Sequence, residues 1–154
     1  MLINVVLVEP RIPQNTGNIG RICLASNARL HLIYPLGFLL DSRGLKRAGM
    51  DYFNNVDLVK WDNLKSFWQQ HKSNKNHFFF TTKASKNYFD VNFDSECFLY
   101  FGREDKGLDS SVLEANKDNL VTIPMFNQAR SINLANSVSI AVYEVIRQNF
   151  SSLS

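Results

Sequence analysis

Short apolar runs with no polar alternation constrain this chain most. LINVVLV (2–8) is the clearest, followed by the heads of LHLIYPLGF (30–38), NHFFFTTK (76–83) and ECFLYFG (96–102). A strand with one wet face alternates apolar and polar residues, whereas a run apolar at every position belongs in a sheet covered on both sides. Sheets covered on both sides are mostly parallel, and parallel strands need crossover helices. The segments between the runs must therefore supply them.

They do. After the first strand, PRIPQNTGNIGRICLASNA (10–28) opens on two prolines, offers Asn15 or Thr16 as a cap, and places Ile19, Ile22, Cys23 and Ser26 at helical spacing. The second strand is stopped by Pro35, and RGLKRAGMDYF (43–53) reads as a short basic helical turn broken at Gly49. DLVKW (57–61) fits a short strand, and DNLKSFWQQHK fits a helix with Asp62 as N-cap and Leu64, Phe67 and Trp68 on one face. SSVLEAN (110–116) is expected to be helical, NLVTIP (119–124) a strand ended by Pro124, and 131–149 a long last helix. The reading is one α/β domain over 1–154, mostly parallel sheet flanked by helices, with the SSLS tail frayed at 151–154.

Composition excludes several classes. With 45% hydrophobic and 20% charged residues, and no apolar stretch long enough for a bilayer, a membrane-spanning protein is not expected. The first residues lack a basic leader and a small-residue cleavage site, so the expected location is the cytoplasm. Cys23 and Cys97 sit in apolar runs and are expected to be buried thiols. His31, His71 and His77 lie far apart without ligand spacing, so no metal is expected. A net charge of +3 is mild, yet the cations cluster: Arg43, Lys46 and Arg47, then Lys83 and Lys86, then Arg103 and Lys106.

In a parallel sheet ligands bind beyond the carboxyl ends of the strands, which directs attention to the loops after residues 8, 80, 101 and 123. PQNTGNIGR lacks the GxGxxG dinucleotide pattern. FGREDKGL puts Leu108 where a P-loop needs lysine. Glu104 and Asp105, adjacent in a turn, suit a solvated or loop-fixing pair better than an acid/base couple. In the last helix Leu134, Val138, Ala141 or Val142, and Val145 form a packing face, while Ser131 can cap and Asn133 and Asn136 are free to bind chain or ligand. Polar, glycine-containing loops after several strands, together with this helix head, would converge on one pocket.

NTGNIGR (15–21), FGREDKGL (101–108) and IPM (123–125) followed by ARSINLANSVSIAVYE (129–144) resemble the three ordered motifs of the SPOUT-class RNA methyltransferases. The resemblance spans nearly the whole chain. Within that class, the short length, RAGMDY (47–52) and IPM…RSINLANSVS are similar to enzymes that methylate the wobble nucleotide of the tRNA anticodon. GREDKGL departs from the GPExxGL form of that branch and is similar to tRNA ribose methyltransferases acting elsewhere in the anticodon loop.

The resemblance implies a C-terminal deep trefoil knot, which general folding rules disfavour, and a homodimer whose sites use both chains. It implies S-adenosyl-L-methionine as methyl donor, S-adenosyl-L-homocysteine as product and no metal. The cofactor pocket would be built from Phe80, Thr81, Gly102, Ile123, Met125, Ser131 and Leu134. The catalytic residues would be Arg21, Ser131 and Asn133. The anticodon stem-loop of tRNA, leucine tRNAs among them, would be held by Asn18, Lys46, Arg47, Tyr52, Arg103 and Arg130. A guanidinium with a pKa above about 12 makes a poor base. Arg21 is therefore expected to hold the 3′-phosphate and stabilise alkoxide charge, with Ser131 or a water relaying the proton, although Arg21 could instead pair with Glu104. Methylation of another tRNA or rRNA position, or RNA binding without catalysis, are the alternatives.

Overall fold

The computed structural model describes residues 2–41 and 51–152, with the side chains of residues 51 and 52 outside the described part. Among the described residues six strands form one sheet: β1 (Leu2–Val8), β2 (Arg29–Ile33), β3 (Leu58–Trp61), β4 (His77–Phe80), β5 (Glu96–Phe101) and β6 (Leu120–Val121). Their order is β3-β2-β1-β5-β4-β6, and every pairing is parallel. Val5 lies between Leu30 of β2 and Leu99 of β5, and Phe78 of β4 stands beside Leu99 on its other side.

The uniform apolar runs are explained by two cores, one on each face. Side chains alternate across a strand, so Ile3, Val5 and Leu7 face one way with Leu30, Leu32, Phe78, Phe80 and Leu99. Against them pack helix α1 (Pro13–Ser26), through Ile19 and Cys23, and helix α4 (Leu134–Asn149), through Val138, Ala141, Val142 and Val145. Val6, Val8, Ile33, Phe79, Phe98 and Tyr100 face the opposite way, under α2 (Leu64–Gln70) with Phe67 and α3 (Ser110–Ala115) with Val112 and Leu113. Both cysteines are buried, which pushes each thiol up to about 12.

Several boundaries differ from the sequence reading. The second strand ends at Ile33, before the cis Tyr34–Pro35 bond. The fourth ends at Phe80 and the sixth at Val121: beyond them Thr81 makes one last bond to β6, and Thr122 pairs with the loop at 86–88. Thr81 N donates to Val121 O at 3.0 Å, Thr122 N to Lys86 O at 2.8 Å, and Tyr88 N to Thr122 O at 2.9 Å. Asn63, not Asp62, caps α2, its Oδ1 accepting from Ser66 N at 2.8 Å. The last helix begins at Leu134 with Asn133 as its cap, so Ser131 lies ahead of the helix. Its far end is fastened by Gln148, whose Oε1 accepts from Phe93 N at 2.8 Å and whose Nε2 donates to Val91 O at 3.0 Å.

The basic turn at 43–53 lies outside the described residues through residue 50, and Asp51–Asn55 form a 3-10 turn. Ser151 and Ser152 continue α4 as a 3-10 turn, and the last two residues lie outside the described part. Among the described residues no helix is long and apolar enough to cross a membrane.

The fold gathers the three histidines around Phe98, despite their separation in sequence. The His31, His71 and His77 ring centres lie 6.3, 5.2 and 4.2 Å from that of Phe98. The rings of His31 and His77 are hydrogen-bonded inside the fold. Trp61 Nε1 donates to His31 Nδ1 at 3.0 Å, so the His31 proton sits on Nε2 and is donated to Asn4 Oδ1 at 2.9 Å. Asn4 in turn donates to Cys97 O at 3.3 Å. Tyr100 takes a hydrogen bond from Trp68 Nε1 at 2.9 Å, and its hydroxyl is hydrogen-bonded to His77 Nδ1 at 2.7 Å. Among the described residues no group of three or more His, Cys, Asp or Glu is placed to hold a metal ion.

Candidate active site

A cavity of about 580 Å³ opens beyond the carboxyl ends of β4, β5 and β6. The loops that continue those strands line it, through Phe80 to Lys83, Phe101 to Leu108, and Thr122, Ile123 and Met125. The stretch 130–134, running into α4, closes the remaining side. Its volume falls in the usual range for small-molecule sites, and its position is the one a parallel sheet provides for ligands.

The loop after β5 is folded back tightly. Arg103 N donates to Gly107 O at 3.2 Å and Gly107 N to Arg103 O at 2.7 Å, closing a small hairpin. Two glycines make this possible for different reasons. Gly107 takes a left-handed φ of 71°, and a Cβ on Gly102 would run into the backbone of Gly107 and Leu108. The hairpin carries Glu104 to the beginning of α1.

Helix α1 has no side-chain cap of its own. Its N-cap is Ile12, followed by Pro13, while Asn15 and Thr16 are buried inside the helix rather than capping it. Glu104 supplies what is missing. Its Oε1 accepts from Arg11 N at 2.7 Å, and its Oε2 from Ile12 N at 2.8 Å and Asn15 Nδ2 at 3.2 Å. A carboxylate at a helix N-terminus satisfies orphan donors and opposes the positive end of the dipole. The loop-fixing reading of Glu104 has its physical basis here.

Asn15 passes the connection on. Its Oδ1 accepts from Asn133 Nδ2 at 3.0 Å, while Asn133 Oδ1 accepts from Asn136 N at 3.2 Å and so caps α4. One chain of hydrogen bonds thus joins the β5 loop, the start of α1 and the start of α4. It does so at the cavity wall, which includes Glu104, Asn15 and Asn133.

Cations ring the mouth. Arg130, Lys83 and Lys106 are exposed and line the cavity. Arg103 also lines it, but its guanidinium grips Asp105 in a fork, Nε to Oδ1 at 2.9 Å and Nη2 to Oδ2 at 2.6 Å. That hydrogen-bonded partner holds the Asp105 carboxyl below its ordinary range.

The structure places Phe80, Thr81, Gly102, Ile123, Met125, Ser131 and Leu134 together in the wall of this cavity, with Asn133, Arg103 and Arg130. Arg21 and Asn18 are elsewhere: both are exposed on α1 and do not line the cavity. Arg21 lies six residues along the helix from Asn15, roughly 9 Å of axial rise. Lys46 and Arg47, and the side chain of Tyr52, lie outside the described residues. Sequence reading missed Asn15, Ile12 and the capping role of Glu104, for which the polar motif residues were the only signal.

The chain matches the SpoU rRNA methylase family over residues 2–143. It is 43% identical to the tRNA (cytidine(34)-2′-O)-methyltransferase of Saccharophagus degradans, over 96% of each chain. A solved structure concerning the 2-OH methylation of C/U34 on tRNA superposes with a TM-score of 0.91, at 39% identity over 97% of both chains. The AdoMet-bound rRNA methyltransferase of Sinorhizobium meliloti superposes with a TM-score of 0.81 at 26% identity, over 94% of this chain and 56% of that one. On its sequence and on its architecture, this chain belongs to the SpoU methylase family.

Proposed function

We propose that this protein methylates the ribose 2′-oxygen of the wobble nucleotide in tRNA, cytidine or a modified uridine, with S-adenosyl-L-methionine as donor. The observation that carries the reading is the meeting of all three motifs at one cavity, through Asn15 at the head of α1, the loop 101–108 and the stretch 130–134, with its walls tied together through Glu104, Asn15 and Asn133. Identity to the tRNA (cytidine(34)-2′-O)-methyltransferase of Saccharophagus degradans over nearly full length supports the target. Leucine tRNAs are proposed as substrates on resemblance alone.

The cavity suits the donor. Gly102, by lacking a Cβ, lets the β5 loop close against Gly107 and Leu108 and so shapes the wall, Ile123, Met125 and Leu134 offer apolar surface, and Thr81 and Ser131 offer polar atoms. These residues, with Phe80, would hold it. When bound, S-adenosylmethionine supplies an electrophilic methyl group on a sulfonium that departs as a neutral thioether, S-adenosyl-L-homocysteine.

The protein's own tasks are alignment and proton removal. Arg21, permanently charged, would hold the 3′-phosphate and stabilise charge developing on the 2′-oxygen. Ser131 would relay the proton, directly or through water, and Asn133 would keep the head of α4 in place beside it. Arg130 and Arg103, with Asn18, Lys46 and Arg47, would contact phosphates, and Tyr52 would stack on the wobble base.

Because Arg21 and Asn18 stand on the outer side of α1, off the cavity wall, we propose that they serve the cavity of a second copy in a homodimer. Val138 and Val142 are spent on the core, and Tyr143, 48% exposed on the same helix, is available to that interface. The proposal extends to a single domain over 1–154, a trefoil knot formed as the segment before α4 passes the loop after β4, and a cytoplasmic location.

Titration with S-adenosylmethionine, followed by transfer of labelled methyl to bulk tRNA, tests the reading. Binding with transfer to tRNA is expected; transfer confined to ribosomal RNA would refute the substrate.

A further inference from the structure

Phe126 stands at the rim of the cavity, directly after Met125 and four residues before Arg130, both of which line it. Its side chain is 78% exposed. A phenylalanine so exposed contributes almost nothing to a core, and its apolar surface is left in water. The backbone behind it is unusual. Asn127 and Gln128 are both left-handed, with φ of 58° and 64°, a conformation that asparagine adopts readily and glutamine rarely. Ala129 N turns back onto Phe126 O at 3.4 Å. Two successive left-handed residues without glycine, held beside a ligand cavity, belong to the class of departures that gather at functional sites.

The surroundings indicate what the ring meets. Arg130 and Lys83 are exposed cations on the same rim, with Lys106 beside them paired to Asp109 at 3.6 Å, so a polyanion is drawn to this side of the molecule. An aromatic face flanked by cations is how proteins hold unpaired nucleobases, the ring taking the base and the cations the phosphates. An apolar protein partner would be poorly matched to so much positive charge.

We infer that Phe126 is a stacking platform for the unpaired base next to the nucleotide being methylated, with Arg130 on the intervening phosphate. The inference rests on the proposed reaction and deepens it. Phe126 fixes which ribose reaches the cavity by holding the neighbour of that ribose. The left-handed pair at 127 and 128 keeps the ring out of the cavity, leaving room for the methyl donor.

The test uses the full chain and an anticodon stem-loop RNA with 2-aminopurine in turn on each side of the wobble nucleotide. Wild-type protein should change the fluorescence of one of the two probes. Phe126→Ala should abolish that change and raise KM for the RNA about tenfold, with kcat and S-adenosylmethionine affinity little altered. Phe126→Trp should restore both. An unchanged KM and probe signal in Phe126→Ala would overturn the inference. So would a loss of cofactor affinity, which would assign the ring to the cofactor cavity, or a change of oligomeric state in sedimentation, which would assign it to a contact between copies. Wild-type protein that transfers no methyl to the RNA would overturn the underlying reaction, a failure recognised because it does not depend on Phe126.

Discussion

Asn133 Nδ2 donates a hydrogen bond to Asn15 Oδ1 at 3.0 Å, joining the heads of two helices that are 118 residues apart in sequence. Each asparagine holds a second partner, Glu104 for Asn15 and the Asn136 amide for Asn133. Asn15→Ala and Asn133→Ala should each cost about 1–2 kcal/mol, from the lost bond and, for Asn133, the lost cap. In a double-mutant cycle read by urea denaturation, the pair should be coupled by about 1 kcal/mol. Strict additivity would show that the connection carries no energy.

Gly102→Ala should separate folding from cofactor binding. The added Cβ meets the backbone of Gly107 and Leu108, which no rotamer change can move aside. The hairpin must shift, and with it the cavity wall. Affinity for S-adenosylmethionine, measured by calorimetry, should fall at least about tenfold, or about 1.4 kcal/mol. The far-ultraviolet dichroism should remain that of the parent, and retained affinity would contradict the assignment of this loop.

Acid should destabilise the protein through its buried histidines. Burial pushes His31 down to about 3 and His77 down to about 4, while the unfolded chain protonates both near about 6.5. Below about pH 6.5 the unfolded state binds protons that the folded state refuses, so stability is present above that pH and is lost as pH falls toward about 4 and then about 3. Each group contributes a slope of up to about 1.4 kcal/mol per pH unit in that window. His31→Gln should reduce the measured slope by about one proton. An identical slope would mean that His31 takes up its proton in the fold, although its Nδ1 is occupied by Trp61.

Arg21→Ala should reduce methyl transfer at least about a hundredfold, the size expected when a charged group aligned with the reacting oxygen is removed. Cofactor affinity should be unchanged, because Arg21 does not line the cavity. If Arg21 serves the cavity of a second copy, mixing Arg21→Ala with an inactive Ser131→Ala protein should restore activity in mixed dimers. Failure to complement would place both residues in one chain's site.

The sheet was legible because its runs are apolar on both faces, and no other arrangement of such short strands hides them. Strand ends were less so: Thr81 and Thr122 look like continuing strand, yet the Thr81 amide makes only one last bond, to Val121 of β6, and the Thr122 amide turns to Lys86 in a loop. The cap of α1 was illegible for a different reason. Its partner, Glu104, arrives from about 90 residues away, and local spacing carries no record of it. The histidines show the same limit, since only the sheet order brings His31, His71 and His77 around Phe98. The cavity residues could be named from the motifs, but the outward placement of Arg21 on α1 needed the fold.

The most direct measurement exploits the chemistry of the product. A ribose methylated on its 2′-oxygen cannot cyclise onto the adjacent phosphate, so its 3′ linkage resists alkali. After transfer of labelled methyl to tRNA and alkaline hydrolysis, label is expected in an alkali-resistant dinucleotide that begins with the wobble nucleotide. Label released as a mononucleotide, or in a dinucleotide from any other position, would contradict it.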